Sequence, residues 1–172
     1  MNVTFINPFL EAVMNVLKTM AFTEPTPGKP FLKKKSDVSQ GDVTGVIGVT
    51  GPVKGSVALS FTEAAILHVV SSMFGEECRE VNSEVEDAVG ELSNMICGDA
   101  RRMLEGMGHP FQGSIPSIIS GKGHKITHIV PGPSIVMPFT VGDGASFFVE
   151  VCFEDSPAAS STPKKYMGFL GA

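Results

Sequence analysis

The sequence is short of charge, of cysteine and of uninterrupted apolar runs, and each shortage excludes something. Charged residues make up 18% of the chain, below the usual level of about 25%; this predicts a fairly apolar surface of the kind oligomers cover. The balance is acidic, 13 Lys+Arg against 18 Asp+Glu for a net charge of −5, and no basic block is longer than Lys33-Lys34-Lys35. Nucleic-acid binding needs a clustered basic face, so that class is excluded. The three cysteines, Cys78, Cys97 and Cys152, form no CxxC pattern and leave an odd thiol, which predicts a reducing compartment. The longest uncharged run, 126–142, carries Pro131, Pro133 and Pro138 and cannot be a spanning helix. No positive charge precedes Lys18, and Pro8 and Glu11 interrupt the first apolar stretch, which is not how a signal peptide reads. A cytoplasmic protein without membrane contact is expected.

What is present fits one domain. A chain of 172 residues exceeds the usual domain of roughly 100–150 residues by little more than a tail. Asn7-Pro8 is a helix-start signal with Asn as cap, and Phe9, Leu10, Val13, Val16, Leu17 and Met20 follow at helical spacing to about Ala21. Strands are expected at 31–39, 42–50 and 53–62, the last two as a hairpin around Gly51-Pro52. In the third, Val57, Leu59 and Phe61 alternate with Ser56, Ala58 and Ser60, which predicts one buried face. A short helix over 63–74 closes at Gly75. A long one starts at the capping box Ser83-Glu84-Val85-Glu86 and runs to about Met107. Further strands are expected at 114–120, 134–141 and 145–154. From Asp155 the chain is rich in Ser, Ala and Pro and reads as a flexible tail, 155–172. The order of elements predicts an α+β fold, a single domain over 1–154. It has a mostly antiparallel six-stranded sheet on which a long N-terminal helix, a short helix and a long third helix pack.

The third helix is the candidate site. Its apolar residues Val85, Val89, Leu92, Ile96, Met103 and Met107 fall within about 60° of one another on a helical wheel. Asp87, Asn94, Gly98, Arg102 and Glu105 cluster on the opposite side. Glu91 and Asn94 are three residues apart and therefore neighbours on the solvent side.

The string Asp87-Ala88-Val89-Gly90-Glu91-Leu92-Ser93-Asn94-Met95-Ile96-Cys97-Gly98 resembles the signature helix of the CheC/CheX/FliY family of chemotaxis phosphatases, a Glu and an Asn separated by two residues. Asp87-Ala88 stands one turn before the pair and Gly98 one turn after it, as in that family. The opening Ile6-Asn7-Pro8-Phe9, the Gly55-Ser56-Val57 strand and the Pro116 strand ending at Gly121 look like CheX. The resemblance covers about residues 1–154. A CheC-like chain would carry two such helices and this one carries one, so CheX is the closer match.

The resemblance implies a hydrolase that removes the phosphoryl group from the aspartyl phosphate of a CheY-like response regulator in two-component signalling. Asn94 and Glu91 would be the catalytic residues, and Asp87, Glu91, Asn94 and Gly98 would bind the partner. An amide donates and accepts hydrogen bonds at once, so Asn94 would orient the attacking water, as a glutamine does in small GTPases. Glu91 would anchor on the regulator's lysine, because a carboxylate acting as base would be repelled by the phosphoryl dianion. No cofactor of its own is implied; Mg2+ would sit on the partner. A homodimer joined through sheet edges is also implied. The alternative is a non-catalytic module that binds a response regulator or a flagellar-switch component.

Other signals are read as structural. His124 and His128 have no third ligand at metal spacing, so no metal site is assigned, and Gly121-Lys122-Gly123 reads as a turn. Cys97 is expected to be a packed thiol and Lys33-Lys34-Lys35 to protect a sheet edge. Met14, Met20, Met95, Met103 and Met107 are expected to fill the core.

Overall fold

The computed structural model describes residues 3–34 and 41–154. A 3-10 turn, Val3–Phe5, leads into helix α1, Ile6–Met20, which buries Ile6, Phe9, Ala12, Val13, Val16 and Leu17. The turn moves the helix start upstream of Asn7. Phe5 occupies the cap position with no side-chain hydrogen bond, and Asn7 lies inside the helix. Pro8 falls in the first turn, where its missing N–H leaves no intrahelical bond unmade.

Two short strands follow, β1 at Thr26–Pro27 and β2 at Phe31–Leu32, both paired with a later strand. The strand expected over 31–39 is therefore only two residues long among the described residues, and 35–39 lie outside them. Strands β3, Gly41–Thr50, and β4, Gly55–Phe61, form the expected antiparallel hairpin.

Helix α2, Glu63–Phe74, starts where the Thr62 side chain accepts the Ala65 N–H at 3.3 Å and Asp42 Oδ2 accepts the Glu63 N–H at 2.7 Å. It stops at Gly75, whose φ of 70° is left-handed, a conformation glycine adopts without a Cβ penalty.

Helix α3, Ser83–Gly106, is capped by Asn82, whose side-chain oxygen takes the Val85 N–H at 3.1 Å. Ser83, the expected cap, is instead the first helical residue. Strands β5, Gln112–Gly113, β6, Ser117–His124, β7, Ser134–Val141, and β8, Ala145–Phe153, complete the chain. Gly121-Lys122-Gly123 was expected to turn and does not. It runs within β6 as an unpaired bulge, with positive φ at both glycines, while the register against β3 jumps from Val43↔Ser120 to Gly41↔His124.

All pairings are antiparallel, in the order β1-β7-β8-β4-β3-β5, with β2 also on β7 and β6 also on β3. Among the described residues eight strands stand where six were expected, because two-residue pieces join both edges. The helices cover one face, with α3 packed on both α1 and β3. Gly45 allows that approach: a Cβ there would collide with Ser93 of α3.

The other face is covered as well, which corrects the one-faced reading of β4. Ala58, Ser60, Thr44, Val136 and Glu150 are all buried. The connection from β6 to β7 crosses beneath them: Ile126 is buried, and the His128 ring meets Ser56 Oγ. Cys152 Sγ lies 3.6 Å from the Val130 carbonyl.

The methionines are less buried than expected. Met20 and Met107 are 45% and 52% exposed, and Met14, Met95 and Met103 only line the core. Toward the end of α3 the buried stripe steps by four, through Leu92, Ile96, Ala100 and Leu104, which turns Met107 outward and leaves Met103 half-buried at the edge of the core. No helix among the described residues is long and apolar enough to cross a membrane.

Candidate active site

Twenty-four residues of helix span about 36 Å, and burial of Val85, Val89, Leu92, Ile96 and Ala100 fixes which side of α3 faces outward. Asp87, Glu91 and Asn94 are exposed on that side and Gly98 is half-exposed. Glu91 and Asn94 rise about 4.5 Å apart along the axis. Among the described residues neither side chain has a hydrogen bond or ion pair within the chain. Both are free to engage another molecule from a rigid support.

Each member of the pair borders a groove. Asn94 shares one, of about 240 Å³, with Ile47, Cys97, Gly98, Arg101 and the β5 residues Gln112 and Gly113. Glu91 and Asp87 share the other with Glu84, Glu76 and the half-exposed Phe74 at the end of α2. The helix thus carries acid on one side of Asn94 and a guanidinium on the other. A Cβ built on Gly98 would meet nothing within 4 Å, so this glycine answers to no packing need inside the chain.

Cys97 is the buried thiol it was expected to be. Burial raises its pKa from 9.0 to about 11, against a lowering by the nearby Arg101 charge, and a thiol so protonated is a poor nucleophile. Among the described residues no group of three or more His, Cys, Asp or Glu side chains could hold a metal ion.

Two sets of residues escaped the sequence reading. Arg101 was visible in principle, seven residues beyond Asn94 on the same stripe. Gln112 and Gly113 were not, because only pairing of β5 with β3 brings them beside α3. The second set lies on the far face of the sheet. Lys33, expected to shield an edge, pairs with Glu150 and also donates to the Ile126 carbonyl at 2.7 Å. His128 Nε2 stands 3.1 Å from Glu150 Oε1. His124 Nε2 bonds Thr44 Oγ1 at 2.6 Å. The two histidines therefore serve separate polar clusters and share no ligand position.

Comparison with known proteins identifies the family. The family profile of the chemotaxis phosphatase CheX matches residues 43–140. The CheY-P phosphatase CheX of Thermotoga maritima is 31% identical over 142 residues, covering 82% of this chain and 90% of that protein. A CheC-like superfamily protein from Shewanella sp. PV-4 superposes with a TM-score of 0.84 at 46% identity, covering 90% of this chain and 99% of the other. A CheX–CheY–BeF3–Mg2+ complex from Borrelia burgdorferi matches with a TM-score of 0.73 at 29% identity, over 88% and 98% of the two chains. Fold, motif helix and family profile converge, and the chain belongs to the chemotaxis phosphatase CheX family.

Proposed function

We propose that this protein is an aspartyl-phosphate phosphatase acting on a phosphorylated CheY-like response regulator in the cytoplasm, with Glu91 and Asn94 inserted into the regulator's active site. The observation that carries the reading is the exposed, unpartnered Glu91/Asn94 pair on a helix whose other side is locked into the core. The Thermotoga relative is a CheY-P phosphatase and the Borrelia neighbour is bound to CheY, which supports the choice of substrate.

An aspartyl phosphate is a mixed anhydride. Water attacks phosphorus in line, the phosphorus–oxygen bond to the aspartyl carboxylate breaks, and the carboxylate leaves with the bonding pair. The proton of the water passes to a phosphoryl oxygen, and inorganic phosphate departs. Asn94 accepts a hydrogen bond from the water and donates one toward the phosphoryl group, so the nucleophile is held in line. Placement of this kind is worth several kcal/mol. Glu91 docks on the partner's lysine, Asp87 and Gly98 complete the contact, and Mg2+ belongs to the partner. The catalytic unit spans 1–154.

The same reading includes a homodimer joined through sheet edges. β6 pairs with β3 on one side, and among the described residues nothing pairs with its other side. Sedimentation at micromolar concentration is expected to give a dimer mass; a monomer overturns this part.

The deciding measurement is phosphate release from the phosphorylated regulator with substoichiometric protein. Wild type accelerates release, and Asn94→Ala lowers the stimulated rate by roughly 100-fold or more with an unchanged melting temperature. Binding of the regulator without acceleration by wild type overturns catalysis in favour of a binding module. Retained activity in Asn94→Ala removes that residue from the chemistry.

A further inference from the structure

Arg101 stands on the groove that Asn94 borders, and among the described residues no acid answers it. Its Nη1 donates to Gln112 Oε1 at 3.3 Å, a long bond to a neutral group. Among the described residues no carboxylate pairs with it. The adjacent Arg102 is paired instead with Asp99. Support of the helix dipole does not explain Arg101, because that effect is confined to the last turn and the last turn of α3 holds no basic residue. Gly98 lies between Asn94 and Arg101 with open space where its Cβ would be, so a partner has unobstructed approach along this stretch.

We propose that Arg101 is a third docking residue, which pairs with a carboxylate on the surface of the receiver outside its phosphorylation pocket. The proposal rests on the phosphatase reading above and names a determinant of which receiver is accepted. Seven residues place Arg101 about 10 Å along the axis from Asn94 and about 20° around it, on the same stripe but beyond the reacting atoms. Charge complementarity identifies the occupant. Along one face α3 runs from Asp87 and Glu91, through Asn94, to Arg101. A receiver presenting its lysine to Glu91 and an acid to Arg101 fits in one direction, and the reversed orientation sets like charges against each other. Arg101 is therefore a positioning and specificity residue and does not touch the phosphoryl group.

The test uses the full chain and the CheY-like receiver of the same organism, loaded with Mg2+ and beryllofluoride for binding and phosphorylated for turnover. Arg101→Glu is expected to weaken binding about 10-fold or more and Arg101→Gln several-fold, whereas Arg101→Lys retains most of the affinity. Their kcat stays within about twofold of wild type while KM rises, and the salt dependence of binding flattens in Arg101→Gln. Unchanged affinity in Arg101→Glu overturns the proposal. So does a fall in kcat with KM preserved, which would put the guanidinium on the phosphoryl group. If wild type binds and turns over the receiver while these variants behave like it, only this inference fails; if wild type does neither, the phosphatase reading fails first.

Discussion

Lys33 Nζ lies 2.9 Å from one carboxylate oxygen of Glu150 and 3.0 Å from the other, with the two side chains only 14% and 2% exposed. The pair fastens the segment after β2 to the centre of β8, on the sheet face away from the helices. His128, from the crossing connection, closes on the same carboxylate.

Removing one member of such a cluster leaves the others charged and dry. Glu150→Ala is expected to cost about 3–5 kcal/mol in chemical denaturation, whereas the double change Lys33→Met with Glu150→Met comes close to neutral. Burial pushes the Glu150 carboxyl up, yet His128 and Lys33 outweigh it and hold the group below its ordinary 4.5. A folded-state value below the unfolded one means the stabilisation is complete above the unfolded value and is lost as pH falls through the folded one. Wild type should therefore lose melting temperature below pH 4.5 faster than Glu150→Gln. Parallel curves would show that this carboxylate does not couple to folding.

The start of the motif helix separates two candidate caps. Asn82→Ala removes the acceptor for the Val85 N–H and is expected to cost about 1 kcal/mol. Ser83→Ala should change little. A larger loss at Ser83 would return the cap to that residue.

Gly45 sets the distance between the motif helix and the sheet. A Cβ there would press on Ser93, and overpacking of this kind costs about 1–3 kcal/mol. Gly45→Ala should lower the melting temperature by several degrees and reduce phosphatase activity by displacing Glu91 and Asn94 together. Adding Ser93→Ala should recover part of both. An unaffected Gly45→Ala protein would mean that the helix tolerates the shift.

Substitutions at Gly98 test folding and docking separately. With nothing near its Cβ position, Gly98→Ala should stabilise α3 by up to about 1 kcal/mol through helix propensity. Gly98→Leu should fold normally but bind the regulator more weakly, measured by calorimetric titration. Full affinity in Gly98→Leu would take this glycine out of the interface.

Elements whose cause is local were legible from the residues alone. Periodicity marked α1 and α3, Gly75 closed α2, and alternation with Gly51-Pro52 marked the β3–β4 hairpin, because these depend on residues a few positions apart. The outward side of α3 follows from the same periodicity, so the exposure of Glu91 and Asn94 is legible in the sequence. Neighbours far apart in the chain were not. Gln112 lines the groove of Asn94 only because β5 pairs with β3, and Lys33, His128 and Glu150 meet only because the connection before β7 doubles back under the sheet. Thr26–Pro27 and Gln112–Gly113 carry too few residues for a periodic signal and become strands only when an existing edge supplies their hydrogen bonds. A burial pattern records whether a position is dry; which distant side chain keeps it dry is decided when the layers close.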